Sequence, residues 1–193
     1  GYEDIKKGKI NFIGDPEKRI KEDYLRILRY LRFFLNYSKQ PHDPKIVKVL
    51  KMNLMGIANL SKERLIDELR KTLKPNMLES LSKDKIILEI FVSVFPQLKH
   101  FNIFSKLNTN LKDMLSKVDF IFIISLLIID ETDNVEYFIY KFNLSKKDQK
   151  RIRNISDFYK KKITSKTFTE KNLNLIFYHS GKETVLDLSL IHI

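Results

Sequence analysis

Cysteine is absent from the 193 residues, which excludes a disulfide framework, thiolate metal sites and a cysteine nucleophile. A reducing compartment fits, and the cytoplasm is the expected location. Glycine and proline number only five each, too few for the turn every dozen residues that an all-β sandwich needs. No apolar run reaches the roughly 20 residues of a membrane-spanning helix. The longest, Phe120 to Ile129, is closed by Asp119 and Asp130 and reads as a buried core helix, so no membrane partner is expected. The opening Gly1-Tyr2-Glu3-Asp4-Ile5 lacks the positive and then apolar pattern of an export signal. Because it also lacks an initiator Met, the chain is expected to lie inside a longer protein. The histidines, His42, His100, His179 and His192, are scattered singly without ligand spacing, and no metal site is expected from them.

What the sequence does contain favours helices. Apolar residues make up 43% of the chain, enough to build a core. The first dozen residues, with Ile10, Phe12 and Ile13 before Gly14, read as the end of an extended segment that then turns. Asp15-Pro16 supplies an N-cap followed by an N1 proline. From there Ile20, Tyr24, Ile27, Leu28, Leu31 and Leu35 recur at helical spacing, predicting one long helix to about Asn36. Asp43-Pro44 repeats the signal and predicts a helix to about Ala58, and Ser61 caps a third helix over about 62–73 that ends before Pro75. Further helices are predicted from Pro75 and over 84–95, 97–107, 110–128, 133–142 and 146–163. The acidic run Asp130-Glu131-Thr132-Asp133 reads as a helix N-terminus, where negative charge is favoured.

The net charge of +12 is unevenly spread. Residues 141–172 hold eleven Lys or Arg against Asp148, Asp157 and Glu170, a net of +8 and two thirds of the excess. Such a concentration suits phosphate neutralisation, although solvated Lys-rich helix faces would also produce it. On the helix from Lys146, the residues Lys146, Lys150, Arg153, Lys160 and Lys161 share one stripe opposite Ile152, Ile155 and Tyr159, and are the expected RNA-binding cations.

On the predicted long helix, 100° per residue places Arg19, Asp23, Arg26, Tyr30 and Phe33 on one stripe, away from Ile20, Ile27, Leu28 and Leu31. Asp23 accepts hydrogen bonds and Arg26 only donates them, so the pair could read a base edge that carries both an amino group and a ring acceptor. Adenine and cytosine both qualify. Glu22, four residues before Arg26, is placed to orient the guanidinium. A salt-bridged surface face would explain the same spacing.

The stretch Gly14-Asp15-Pro16-Glu17-Lys18-Arg19-Ile20-Lys21-Glu22-Asp23-Tyr24-Leu25-Arg26-Ile27-Leu28-Arg29-Tyr30-Leu31-Arg32-Phe33 resembles the neck-helix signature of the class II tRNA nucleotidyltransferase (CCA-adding enzyme) and bacterial poly(A) polymerase family. Gly1-Tyr2-Glu3-Asp4-Ile5 resembles the family's turn from palm to neck, and Leu60-Ser61-Lys62-Glu63-Arg64-Leu65-Ile66-Asp67-Glu68-Leu69 resembles its S-x-E-R-I-x-x-E-L motif. The resemblance implies an all-α chain with four parts: the end of the palm at 1–13, neck helices at 14–75, body helices at 76–140 and a basic helical tail at 141–193. It further implies that Asp23 and Arg26 pair with the base of CTP or ATP and that Glu22 orients Arg26. Arg64 and Glu68 would brace the neck, although they could equally form a local i,i+4 pair. The implied partner is tRNA or another RNA, gripped by body and tail.

Two departures stand out. Asn11 stands where family members usually have Arg. The Gly-Ser loop with an acidic pair on a strand, which binds two metal ions for nucleotidyl transfer, has no counterpart in these residues. The 193 residues alone are therefore expected to bind no cofactor and to catalyse nothing, with Mg2+ entering only with a palm. Three readings follow: the neck, body and tail of a CCA-adding or poly(A)-adding enzyme; a non-catalytic RNA-binding module or remnant on the same scaffold; or an unrelated helical interaction protein.

Overall fold

The computed structural model describes residues 2–130 and 132–160, and these form α-helices, two short 3-10 helices and connecting turns, with no strand among them. The α-helices are α1 (Tyr2–Lys7), α2 (Pro16–Glu22), α3 (Leu25–Tyr37), α4 (Pro44–Met52), α5 (Lys62–Thr72), α6 (Pro75–Lys83), α7 (Lys85–Val94), α8 (Thr109–Ser116), α9 (Phe120–Ile128), α10 (Asn134–Phe142) and α11 (Lys146–Lys160). The 3-10 helices cover Leu54–Asn59 and Phe101–Phe104. The described residues divide into two compact units, one lying within 1–96 and 101–107, the other within 97–100 and 108–193.

Side-chain caps start most of these helices. Asp15 accepts from the Lys18 amide at 2.8 Å with Pro16 behind it, and Asp43 accepts from the Lys45 amide at 2.8 Å with Pro44 behind it. Ser61, Asp84 and Asp119 cap α5, α7 and α9 in the same way. Each satisfies backbone N–H groups that a helix start leaves without partners.

Four expectations are corrected. The first residues are helical rather than extended: Glu3 and Asp4 lie in the first turn of α1 and Lys6 and Lys7 in the last, as the helix dipole favours. Gly8 ends that helix at φ +59°, and the Lys9 amide returns to the Asp4 carbonyl at 2.9 Å, a Schellman closure. The predicted 16–36 helix is two helices, broken at Asp23 and Tyr24. The predicted 110–128 helix is interrupted because Asp119 leaves helical geometry to cap α9. The 97–107 prediction shrinks to the 3-10 turn at 101–104.

In the first unit, α3 packs against α5 and α6, and α2 against α3 and α4. Ile20, Ile27, Leu28, Leu31, Leu69 and Leu78 are buried between them. In the second unit, α9 packs against α10 and α11 and is buried nearly throughout. Its one polar side chain, Ser125, donates to the Ile121 carbonyl at 2.8 Å. No helix of the described residues is long and apolar enough to cross a membrane.

Candidate nucleotide-recognition site

Asp23 is extended (φ −156°, ψ 104°) between two helices. Its amide closes α2 onto the Ile20 carbonyl, and its own carbonyl accepts the Arg26 amide at 3.0 Å. The Leu25 amide donates to Asp23 Oδ1 at 3.1 Å, so this residue performs the capping work for α3 that Tyr24, in helical conformation, does not. From α5, Arg64 Nη2 lies 2.9 Å from both carboxylate oxygens. Of the roughly four lone-pair directions of a carboxylate, three are occupied, and the remaining acceptor is on Oδ2.

Arg26 is held equally firmly. Its Nη1 donates to Glu22 Oε2 and, at 2.6 Å, to the Arg19 carbonyl. Arg19 Nη1 donates to the same Glu22 oxygen. Nε and Nη2 of Arg26 have no partner among the described residues. The break therefore presents one carboxylate acceptor and a pair of guanidinium donors on residues one turn apart.

The hydrogen bond from Arg26, then the charges of Arg19 and Arg26, hold the Glu22 carboxyl below the ordinary glutamate range. Because the folded-state pKa is depressed, the clamp on Arg26 is complete above the unfolded-state value and is lost as pH falls through the folded one. A carbon-detected NMR titration should place the Glu22 midpoint below that of an unperturbed glutamate, and Arg26→Met should move it upward. An ordinary midpoint indifferent to Arg26→Met would mean that the clamp is not populated in solution.

Arg64 and Glu68 do not turn to one another. Arg64 takes Asp23, while Glu68, 1% exposed, accepts from Arg32 Nε on α3 and lies 3.9 Å from Arg29 Nε. Both partners are on the α2–α3 segment, 41 and 36 residues away in sequence. The predicted stripe on that segment is corrected at Tyr30, which is 4% exposed and stacks on Phe12 with ring centres 5.6 Å apart. Phe33 stays exposed, and Ile27, Leu28 and Leu31 stay buried, as the 100° count predicts, so the burial of Tyr30 comes from the Phe12 ring laid over it. Burial pushes the Tyr30 phenol up to about 12. Asn11 lines an open cavity of about 410 Å³ together with Lys7, Lys9, Tyr30 and His42.

In the second unit, Lys146, Lys150, Arg153 and Lys160 are exposed along α11, with Asp157 among them. Arg153 is engaged by Glu136 of α10, with Nε and Nη2 each 2.8 Å from a carboxylate oxygen. Lys161 lies outside the described residues. Asp130 forms no metal cluster: Lys99 Nζ lies 2.6 Å from its Oδ2, and Thr132 caps its Oδ1 through both hydroxyl and amide. Burial would raise this carboxyl, but Lys99 and Thr132 outweigh it and bring it to about 2. No group of three His, Asp or Glu among the described residues is placed to hold a metal ion.

Comparison with known proteins shows what the chain is similar to. The chain is 45% identical to the human mitochondrial CCA tRNA nucleotidyltransferase 1 over 83 residues, which is 42% of this chain and 19% of that protein. It is 26% identical to the CCA-adding enzyme of Staphylococcus saprophyticus over 190 residues, which is 97% of this chain and 44% of that enzyme. Poly(A) polymerase I of Haemophilus influenzae matches at 28% over 106 residues, 52% of this chain and 22% of the polymerase. Its relatives are CCA-adding enzymes and a bacterial poly(A) polymerase. The chain thus spans less than half the length of these nucleotidyltransferase relatives. No family model matches it.

Two features of this chain are not legible in its sequence. The break that re-aims Asp23 is marked by neither glycine nor proline, since none occurs from Glu17 to Tyr37, and its one local signal is Asp23 itself, a capping residue type. The distant partners of Arg64 and Glu68 could be guessed only from the motif that contains them.

Proposed function

We propose that this chain is the base-recognising and RNA-binding part of a nucleotidyltransferase that extends RNA 3′ ends, with tRNA as its substrate and CTP and ATP as its nucleotides. The observation that carries the reading is the pair of leftover hydrogen-bonding positions at the helix break. Asp23 Oδ2 retains an acceptor, and Arg26 retains Nε–H and Nη2–H. Cytosine presents an amino donor beside a ring acceptor, and so does adenine, whereas uracil and guanine present a carbonyl beside a ring N–H along the corresponding edge. Glu22 orients Arg26, and Arg64 and Glu68 brace the segment that carries the pair. The two-metal chemistry of transfer belongs to carboxylates of a palm domain that the 193 residues do not contain, and Mg2+ enters there.

The test joins this chain to the palm domain of a CCA-adding relative. The joined protein should add CTP and ATP to tRNA in preference to UTP and GTP, while the 193 residues alone should add none. Equal use of all four nucleotides by the joined protein, or incorporation by the chain alone above a no-protein control, would overturn the reading.

RNA binding is assigned to the exposed lysines of α11. Three phosphate contacts, from Lys146, Lys150 and Lys160, would give a slope of log affinity against log salt of about −2 to −3. Lys150→Ala should reduce that slope by about 0.7 to 0.9. A slope unchanged by this substitution would remove α11 from the RNA-binding surface.

A further inference from the structure

We infer that Gly56 is a positioning residue for base recognition: its bare Cα seats the ring of Tyr24, and this contact holds Asp23 out of the helix. The inference rests on the base-reading role proposed for Asp23 and Arg26.

From Glu17 to Tyr37 the sequence contains no helix breaker, so local preference alone would continue α2 into α3. Sharp interruptions of a helix have identifiable causes, and here a tertiary contact at Tyr24 joins the local cap that Asp23 gives the Leu25 amide. A Cβ built on Gly56 would lie 2.1 Å from Tyr24 Cε1, 2.2 Å from Cδ1 and 2.3 Å from Cζ, where no side-chain carbon fits. Unlike Gly8 and Gly14, Gly56 has no positive φ. Glycine is required there for space and not for backbone conformation.

Gly56 is itself fixed. It lies in the 3-10 helix Leu54–Asn59, where its amide donates to the Asn53 carbonyl at 3.1 Å, and Asn53 Nδ2 is tied to the Val49 carbonyl at 2.8 Å. Five residues later in the chain Ser61 caps α5, which carries Arg64. One short stretch of chain thus grips both residues of the break, Tyr24 through Gly56 and Asp23 through Arg64. A methyl group on Gly56 must displace the ring of Tyr24, and Asp23, one peptide away, moves with it. Arg64 and the carboxylate both remain, so the variant keeps its recognition groups and loses their aim.

The experiment uses the chain joined to the palm of a CCA-adding relative and reads the ratio of kcat/KM for CTP over UTP in four variants: Gly56→Ala, Tyr24→Ala, the two combined, and Asp23→Ala. Gly56→Ala and Tyr24→Ala should each lower the ratio by about three- to tenfold, short of the loss in Asp23→Ala. The double variant should be no worse than either single one, because both remove the same contact. The double variant also leaves room for the new Cβ, so it reports even if Gly56→Ala folds poorly. A CTP/UTP ratio unchanged in Tyr24→Ala and in the double variant, while Asp23→Ala lowers it, would overturn the inference and leave the base-reading proposal standing. An unchanged ratio in Asp23→Ala would overturn both.

Discussion

Replacing Arg32 by alanine should destabilise the first unit by about 3–5 kcal/mol, the range for leaving a buried charge without its partner. Glu68 is 1% exposed, and its carboxylate accepts from Arg32 Nε. The other nearby cation, Arg29, is 3.9 Å away, beyond hydrogen-bond reach, and has a half-exposed side chain, so it does not replace Arg32 as donor. Removing both charges is a different matter. Arg32→Met combined with Glu68→Leu replaces the ion pair with apolar volume between α3 and α5 and should restore stability to near the starting value, because two desolvation penalties disappear together. Urea unfolding of the single and double variants measures both. A loss below about 1 kcal/mol in Arg32→Ala would place the pair with ordinary surface ion pairs and remove Glu68 from the bracing of α3.

Asp23→Ala is the second large effect, and it concerns choice rather than stability. The carboxylate is 21% exposed and shared between Arg64 and the Leu25 amide, so its removal also frees Arg64 and loosens the start of α3. Those losses fall equally on every nucleotide. Losing the remaining Oδ2 acceptor does not, because only cytosine and adenine place an amino group beside a ring nitrogen acceptor, the arrangement that matches Asp23 and Arg26 together. A bidentate base contact is worth about 1–3 kcal/mol of discrimination, so in the palm-joined protein UTP and GTP incorporation should rise relative to CTP and ATP by about one to two orders of magnitude. Glu22→Gln should act in the same direction and more weakly, because it only slackens Arg26. Unaltered nucleotide ratios in the face of lower stability would reduce the Asp23–Arg64 pair to a structural clamp.

The parts of this architecture that sequence made legible are those whose causes are local. Asp15-Pro16, Asp43-Pro44 and Ser61 are each a cap and a start within four residues, and each begins a helix where its chemistry predicts. Glu22 and Arg26, one helical turn apart, form the expected ion pair. The features that sequence concealed have causes far along the chain. The break at Asp23 depends on Gly56, 33 residues beyond it, and no count of helical periodicity contains that contact. Tyr30 moved from the presented stripe to the core because Phe12, 18 residues before it, stacks on its ring. The short α1 went unread because six residues with charges at both ends carry little apolar periodicity. On α11 the lysine stripe was readable, but the capture of Arg153 by Glu136 depends on the packing of α10 against it.

The most direct test of the base-reading claim watches the guanidinium itself. In the palm-joined protein, the arginine Nε–H region of a nitrogen–proton correlation spectrum resolves Arg26, identified by the signal that vanishes in Arg26→Lys. If Nε–H and Nη2–H are the donors left for a base, CTP and ATP should shift that resonance and slow its exchange with water, while UTP and GTP at equal occupancy should leave it in place. An Arg26 signal indifferent to CTP, or displaced equally by all four nucleotides, would contradict the claim that this helix break reads the base.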